Sequence, residues 1–253
     1  MLKRTFIHLP GVGERTEAHF WRLGLQTWED FLAVSRVHGL SPGRLGWLQG
    51  EVRQSLARIH DLPYFAARLP VAEYWRLFQH FRHRAAYLDI ETTGSNWPRL
   101  TITVIGLYDG SGFQQFIQGE NLQHFPGFLQ SYSVLISFNG TQFDLPVLRA
   151  NFPGLNWPPV HIDLRFVLAR LGYRGGLKRI EPQLGVKRPP DVEGMDGYMA
   201  VRLWERYQRG DHTARNLLLR YNQEDVINLE TLMLRSYELS QTRVLALATR
   251  PKT

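Results

Sequence analysis

Residues 86–94 read Ala-Tyr-Leu-Asp-Ile-Glu-Thr-Thr-Gly, and this stretch decides how the rest of the chain is interpreted. Residues 86–90 are apolar apart from Asp89 and predict a β-strand. Because side chains alternate along a strand, those of Asp89 and Glu91 lie on the same face. Two carboxylates held close together repel each other, so such a pair favours a divalent cation such as Mg²⁺. An acidic pair on an exposed strand is the alternative that this short motif leaves open.

The residues downstream of this strand predict a mixed α/β domain. Residues 101–108 are β-branched and apolar, and the turn at 109–112 leads into residues 113–117, which indicates a hairpin. The pattern then predicts a helix at 122–130, a strand at 134–138, a helix at 145–151, a segment that starts at 161 and becomes helical through 171, and helices at 199–208 and 212–239. A hairpin followed by alternating helices and strands favours a mixed sheet covered by helices.

The chain upstream of residue 84 has a different pattern. Helical periodicity interrupted by glycine and proline predicts helices at 14–20, 28–36, 45–59 and 71–80. We therefore expect a small all-helical domain over residues 1–84 and an α/β domain over residues 85–253. The 253 residues, of which 43% are apolar and 21% charged, suffice for both hydrophobic cores.

The composition restricts the classes of function and the cellular location. The chain has no cysteine, which excludes disulfides, thiolate metal sites and cysteine nucleophiles and agrees with a reducing compartment. The apolar stretch Phe6–Leu9 ends at Pro10 and is too short for a signal sequence. No apolar run has the length of a membrane span. We therefore expect a cytoplasmic protein without a membrane partner.

The charge of the chain favours a polyanionic partner. The formal net charge is +7 and the isoelectric point is about 9.9. Residues 1–84 contain 12 lysines and arginines against 7 acidic residues, so most of the excess lies in the helical region. A second basic group, interrupted by Glu181, comprises Arg165, Arg170, Arg174, Lys178, Arg179, Lys187 and Arg188. A solvated helix face and a phosphate-binding surface are both open interpretations of this group.

Two further motifs supply acids downstream of the first strand. Residues 139–144, Asn-Gly-Thr-Gln-Phe-Asp, follow a buried strand, and Asp144 lies where the next helix opens. A helix cap is the alternative role for this aspartate. Tyr221 and Asp225 are four residues apart on a predicted helix, which places them on one face. A carboxylate buried there needs a partner or a metal, whereas an exposed aspartate beside a half-buried tyrosine needs neither.

In this order, the three motifs resemble the exonuclease motifs of the DEDD superfamily in its Tyr-bearing branch, which the proofreading domains of family B DNA polymerases also carry. The chain is more closely similar to the YprB-type ribonuclease-H-like proteins of bacteria. That resemblance is carried by His161-Ile162-Asp163-Leu164, Leu177-Lys178-Arg179-Ile180-Glu181, Leu184-Gly185 and Tyr221-Asn222-Gln223-Glu224-Asp225. It covers residues 84–240 and implies a ribonuclease-H-like α/β fold.

The resemblance also implies a two-metal nuclease. Asp89, Glu91 and Asp225 would hold one Mg²⁺ or Mn²⁺ ion, and Asp89 with Asp144 would hold a second. Two ions about 3.5–4 Å apart would activate water and stabilise the leaving oxygen during in-line attack on phosphorus. Tyr221 would orient the attacking water, because a phenol with a pKa of about 10 is a poor base by itself.

Further residues are assigned to the substrate on the same basis. Asn139 and the backbone at Thr92 would contact the terminal nucleotide. Lys178 and Arg179 belong to the basic group described above and are expected to bind the substrate because of their charge. Asp163 is interpreted as the cap of the helix that follows it and stays outside the catalytic set.

The N-terminal region carries a motif of its own. Residues 9–16, Leu-Pro-Gly-Val-Gly-Glu-Arg-Thr, resemble the hairpin of a helix-hairpin-helix motif, and residues 23–31 resemble its second half. Backbone amides near Gly11 and Gly13 would hold a DNA phosphate without regard to base sequence. A turn in which the glycines serve only geometry, in a region that packs through its tryptophans, is the alternative.

Together these observations predict a metal-dependent 3′–5′ exonuclease that acts on DNA rather than RNA. A helicase or a DNA repair protein is the class of protein partner that fits such an enzyme. A structure-selective endonuclease and a non-catalytic nucleic-acid-binding module are the alternatives. Four acids gathered against a polyanion argue against the second alternative, because a pure binding module gains nothing from them.

Overall fold

The computed structural model describes residues 1–94 and 100–248, and it divides the chain into two compact units. The first unit is Met1–Phe81 together with Tyr237–Thr253, and the second is Arg82–Ser236. The chain first passes from one unit to the other after Phe81, three residues before the boundary expected at residue 84. The expected second domain, however, extended to residue 253. The chain from residue 237 instead groups with the first unit, because Tyr237 packs on two aromatic rings there. Residues 249–253 of the expected domain lie outside the described residues.

The first unit is helical. Its α-helices before residue 82 are α1 (Glu14–Arg22), α2 (Trp28–Ala33), α3 (Pro42–Ala57), α4 (Leu62–Ala66) and α5 (Phe78–Phe81). The helix expected at 71–80 is a 3₁₀ helix at Val71–Leu77 followed by α5. The ring centres of Trp75 and Phe78 each lie 6.0 Å from that of Tyr237, which ties the end of the chain to this unit.

The second unit is built on a five-stranded mixed sheet. Its strands are β1 (Ala85–Thr92), β2 (Ile102–Tyr108), β3 (Phe113–Ile117), β4 (Val134–Ser137) and β5 (Val160–Asp163). The strand order is β3-β2-β1-β4-β5. The pairs β1–β2 and β2–β3 are antiparallel. On the other side of β1, the pairs β1–β4 and β4–β5 are parallel. The predicted mixed sheet is confirmed, with β1 at its centre.

Helices cover both faces of this sheet. They are α6 (Phe125–Leu129), α7 (Asp144–Asn151), α8 (Leu164–Leu171), α9 (Leu177–Ile180), α10 (Gly197–Gln208) and α11 (His212–Leu245). Leu88 and Ile90 of β1 enter one buried core with α6 and α7. Val104 and Ile117 enter another with α10 and α11. Among the helices of the described residues, none combines the length and apolar character that a membrane span requires.

Helix α11 approaches the sheet closely at a glycine. Gly106 of β2 is the cross-strand partner of Asp89. A Cβ on Gly106 would collide with the Asn222 side chain and would lie 2.7 Å from Cγ2 of Val226. The missing side chain therefore lets α11 pack directly over the centre of the sheet, which brings residues 221–225 beside β1.

Candidate active site

Three carboxylates from two elements meet above the centre of the sheet. Asp89 and Glu91 come from one face of β1, and Asp225 comes from α11. One carboxylate oxygen from each lies within 4.8 Å of the other two. Glu91 and Asp225 are buried, and Asp89 is half-buried. This spacing allows one cation to contact all three side chains.

The donor set fits a divalent cation. Oε1 of Glu91 is buried and has no hydrogen-bond partner among the described residues. A buried carboxylate oxygen left without a partner is destabilising, and a metal ligand bond would satisfy it. Carboxylate oxygens are the donors that Mg²⁺ and Mn²⁺ prefer. Asp89, Glu91 and Asp225 are therefore the residues that could hold such an ion.

Asp144 lies beside this cluster and is not part of the 4.8 Å set. It is the first residue of α7, and Phe143 occupies the N-cap position, so the capping role does not apply to it. Its Oδ1 accepts a hydrogen bond of 3.3 Å from the backbone N–H of Ile90. The buried carboxyl is thereby held at the point of β1 between Asp89 and Glu91.

A lysine is bound to the acidic cluster. Lys178 of α9 donates to both carboxylate oxygens of Asp225, at 2.5 and 2.7 Å. It also donates to the hydroxyl of Tyr221 at 2.9 Å, and its Nζ lies 4.3 Å from the centre of that ring. The expected substrate-binding lysine is thus placed on the site acids themselves.

Arg188 is the second cation at the cluster. Its Nε and Nη2 donate to the two carboxylate oxygens of Glu181, each at 2.6 Å, and Nη2 also contacts Asp225. Asn228 donates to Glu181 from the other side at 3.1 Å. The side chain of Arg188 is 6% exposed, so it does not lie on a solvated helix face. Arg188 stays buried because Glu181 neutralises it.

Asn222 fixes the position of Asp89. Its Nδ2 donates to Oδ2 of Asp89 at 3.3 Å. Its own Oδ1 accepts from Nε2 of Gln115 at 3.3 Å, and the same Gln115 nitrogen donates to the backbone carbonyl of Leu219 at 2.8 Å. The fully buried amide therefore connects α11 to both β1 and β3.

The loop after β4 is held by a single carboxylate. Asp163 accepts from the backbone N–H groups of Asn139, Thr141 and Arg165, at 2.8, 3.0 and 3.1 Å. The expectation that it caps the following helix is confirmed, because its side chain caps α8. Asn139 has a φ of +66°, and its side-chain oxygen accepts from Arg165, which also donates to Gln142 at 2.7 Å. This strained turn directs the loop toward the start of α7.

Burial and mutual repulsion control the ionisation of the site. Burial, followed by the charges of neighbouring acids, raises the pKa of Asp89 and of Glu91 well above the ordinary values. Burial raises the pKa of Asp144 to about 7. Burial and the charge of Asp225 raise the pKa of Tyr221, so its phenol keeps its proton. Asp89, Glu91 and Asp144 therefore hold protons at pH values where free carboxyls have lost them.

The remaining expected substrate contacts are dispersed. Thr92 is buried at the end of β1, where its hydroxyl donates to the carbonyl of Gly94 at 2.6 Å. Arg179 is exposed on α9. Gly11 and Gly13 belong to the first unit, whereas the clustered acids belong to the second.

The N-terminal hairpin has the expected turn but an abbreviated first helix. Gly11 has a φ of +71°, and Val12 N–H donates to the carbonyl of Leu9 at 3.0 Å. Gly13 is the N-cap of α1. Before the hairpin the structure has a 3₁₀ turn at Leu2–Arg4 where a helix-hairpin-helix motif has an α-helix.

A shallow depression of about 360 Å³ adjoins this hairpin. The polar side chains that line it are those of Arg15, Thr16, His19, His38 and Arg44. Among the tryptophans expected to pack in this region, Trp21 and Trp28 are buried, whereas Trp47 is 45% exposed and stacks on the guanidinium of Arg44 at 4.5 Å. The depression is therefore basic, and one aromatic ring at its side faces solvent.

Sequence reasoning missed Asn222 and the pairing of Glu181 with Arg188. Glu181 was visible as the lone acid within a basic run, which is a signal that one cation there is paired internally. Asn222 directly follows Tyr221, so on a helix it points about 100° away, toward β2 and β3. No periodic pattern identifies such a residue, because its partners are distant in sequence.

One comparison with known protein families agrees with this architecture. A model of the RNase H superfamily matches residues 86–237, more than half of the chain. No curated protein sequence matches the chain. Because the family match covers the sheet and the cluster of acids, the predicted superfamily and its α/β fold are confirmed.

Two solved structures are similar to this chain. A family B DNA polymerase from the hyperthermophilic archaeon Pyrobaculum calidifontis has a TM-score of 0.49 and 18% identity, over 66% of this chain and 27% of its own. RNase D of Escherichia coli, an exoribonuclease involved in structured RNA processing, has a TM-score of 0.42 and 18% identity, over 71% of this chain and 49% of its own. The chain thus spans about a quarter and a half of these two proteins. On the evidence of the family match, the chain belongs to the ribonuclease H superfamily.

Proposed function

We propose that this protein is a divalent-metal-dependent nuclease that removes nucleotides from the 3′ ends of DNA. The observation that carries the proposal is the cluster of Asp89, Glu91 and Asp225, whose oxygens lie within 4.8 Å of one another. The buried Glu91 oxygen without a partner among the described residues supports a cation at this point. Membership of the ribonuclease H superfamily supports the nuclease class.

The side chains of the site would divide the chemistry between them. Asp89, Glu91 and Asp225 would hold one Mg²⁺ or Mn²⁺ ion, and Asp89 with Asp144 a second. Bound ions supply an activated water and stabilise the leaving oxygen at phosphorus. The Tyr221 hydroxyl, which accepts from Lys178 in the metal-free structure, would use its own proton to orient the attacking water. Because its pKa is raised, the phenol acts as a donor and not as a base.

Substrate contacts would come from both units. Asn139 and Thr92 would meet the terminal nucleotide, and the exposed Arg179 would meet its phosphates. The hairpin at Gly11 and Gly13, with the basic depression beside it, would hold the DNA backbone independently of sequence. This hairpin is the reason for proposing DNA over RNA as the substrate.

The test uses 5′-end-labelled single-stranded DNA, duplex DNA and RNA, with circular single-stranded DNA as the blocked substrate. We expect a ladder of shortened products from linear DNA in Mg²⁺ or Mn²⁺, and no cleavage in EDTA or of the circle. Cleavage of the circle would indicate an endonuclease, and degradation of RNA alone would overturn the DNA assignment.

Matched variants test the site itself. Asp89→Asn removes one negative charge from the cluster, whereas Glu193→Gln removes one from an exposed position outside it. We expect Asp89→Asn to abolish cleavage and Glu193→Gln to retain it. Full cleavage by folded Asp89→Asn protein in Mn²⁺ would remove the basis of the proposal.

A further inference from the structure

Asp225 differs from the other acids of the cluster because strong cationic partners already surround it. Lys178 donates to both of its oxygens, at 2.5 and 2.7 Å, and Arg188 contacts one of them. Asp89, by contrast, accepts from the neutral amide of Asn222, and Oε1 of Glu91 has no hydrogen-bond partner in the described part of the chain. The oxygens that would ligate a metal from α11 are therefore covered by protein cations.

The two cations differ in how firmly they are held. The Arg188 side chain is 6% exposed and is locked in place by its two 2.6 Å bonds to Glu181. The Lys178 side chain is 32% exposed and lies on the one-turn helix α9. Its ammonium has site groups as its partners, namely Asp225 and the hydroxyl of Tyr221. Arg188 is thus a permanent part of the site, whereas Lys178 can leave toward solvent without breaking other contacts that the structure records.

We propose that the ammonium of Lys178 is a built-in counter-cation of the metal-free site, and that a divalent ion must displace it to reach Asp225. This inference rests on the proposed function, because it takes Asp225 as a metal ligand. An ammonium 2.5–2.7 Å from both oxygens fills the space that an ion coordinated by Asp225 requires. Ion and ammonium therefore compete for the same carboxylate.

The negative charge of the cluster explains why a counter-cation such as Lys178 is useful there. Five acids, Asp89, Glu91, Asp144, Glu181 and Asp225, surround two cations, Lys178 and Arg188. Without Lys178 the repulsion among the carboxylates is stronger, which destabilises the metal-free fold. With Lys178 in place, part of the binding free energy of the ion is used to remove the ammonium. We therefore expect Lys178 to stabilise the metal-free protein and to weaken metal binding.

The proposal is tested by Mn²⁺ binding to the full-length chain without nucleic acid, measured by calorimetry. The variants are Lys178→Gln, which keeps a hydrogen-bond donor, and Lys178→Met, which keeps none. The control is Lys187→Gln, which removes the same charge from an exposed position nearby. We expect Kd to fall about tenfold in Lys178→Met, equivalent to about 1.4 kcal/mol, and less in Lys178→Gln. We expect no change in the control.

A second measurement uses the native chain. The sequence contains four lysines, at positions 3, 178, 187 and 252, so NMR signals of labelled lysine side chains can be resolved and assigned by substitution. We expect Mg²⁺ to shift the Lys178 side-chain signal strongly and to leave that of Lys187 in place. In EDTA, we expect a lower melting temperature for both Lys178 variants than for the control.

The outcomes separate the inference from the proposed function. If the wild-type chain binds Mn²⁺ and folded Lys178→Met protein binds it no more tightly, the counter-cation role is wrong and the nuclease proposal stands. An unshifted Lys178 signal at saturating Mg²⁺ overturns the inference in the same way. If neither wild type nor variant takes up Mn²⁺, the metal-dependent function fails together with the inference.

Discussion

Gly106 of β2 and Asn222 of α11 approach each other so closely that no Cβ fits between them. Gly106 is also the cross-strand partner of Asp89. The gap between these two residues therefore sets the distance between the acids of β1 and the acid of α11. This close contact is one of the points at which the strand and the distant helix that form the site are held together.

We predict that Gly106→Ala lowers both the stability of the fold and the metal affinity of the site. The added methyl group would meet Asn222 and Val226, and overpacking of this kind costs about 1–3 kcal/mol. Because α11 must move, Mn²⁺ affinity should fall too. Gly112→Ala is the matched control, since a Cβ there meets nothing within 4 Å. Urea unfolding and Mn²⁺ titration measure both effects, and a variant with native stability would show that the contact does not position α11.

Two substitutions of cluster acids should have opposite effects on the metal-free protein. Asp89→Asn relieves repulsion among buried acids, so the free energy of unfolding in EDTA should stay constant or rise. Asp225→Ala removes the partner of Lys178 and one partner of Arg188, and should destabilise by roughly 1–3 kcal/mol. This is less than the roughly 3–5 kcal/mol of a fully broken buried pair, because Arg188 keeps Glu181. Equal losses in both variants would contradict the charge arrangement described above.

Tyr221→Phe should separate water positioning from metal binding. Loss of the hydroxyl should lower kcat by about 10²- to 10⁴-fold, as for groups that position or transfer protons. Mn²⁺ affinity should change little, because the phenol is not one of the three clustered ligands. Asp225→Ala should lose both cleavage activity and Mn²⁺ affinity. Single-turnover cleavage combined with calorimetry distinguishes them, and an unchanged kcat in Tyr221→Phe would make the tyrosine purely structural.

The contribution of Asp144 to the stability of the metal-free protein should fall as pH rises from about 4 to about 7. Burial raises the pKa of Asp144 to about 7 in the folded protein, against about 3.9 in the unfolded chain. Between these values the folded state holds a proton that the unfolded state lacks. This group therefore lowers the free energy of unfolding by at most about 1.4 kcal/mol per pH unit, with no further loss above its folded pKa.

The variant Asp144→Asn isolates this contribution. In EDTA, its stability relative to wild type should increase between pH 5 and pH 8, as measured by urea unfolding at each pH. Asp191→Asn, at an exposed position, serves as the control and should follow the wild-type curve. A constant difference between Asp144→Asn and wild type across this range would show that Asp144 is already ionised at pH 5.

The first unit should contribute to the salt dependence of DNA binding. Deleting residues 1–84 would also remove the packing partners of Tyr237, so point variants give the cleaner test. Arg44→Ala, at the hairpin, should reduce the slope of log affinity against log salt by about 0.9 on duplex DNA, the value of one phosphate contact. Arg53→Ala removes the same charge from an exposed position farther along α3. If both variants give the same slope as wild type, the hairpin does not hold DNA.

The sequence predicted the parts of the fold that are long and periodic. β1 and α11 were predicted because apolar residues recur regularly along them, and the positions of Asp89, Glu91, Tyr221 and Asp225 followed from these two elements. β5 was missed as a separate strand, and α9 was missed altogether, since each has four residues and no full period. Glu181 indicated that one cation of the basic run is paired, but the choice of Arg188 could not be predicted, because it depends on a tertiary arrangement that also includes Asp225. The roles of the site residues stay predictions.

The division of the chain has a mechanical consequence. The backbone leaves the first unit after Phe81 and returns to it at Tyr237, within the single helix α11. In sequence, the second unit is thus inserted into the first, and both ends of its backbone connect to the first unit. Met1 and Tyr237 are joined by a 2.6 Å hydrogen bond from the terminal amine to the phenol. Because both points belong to the helical unit, tension applied between Met1 and the end of α11 acts directly on that unit.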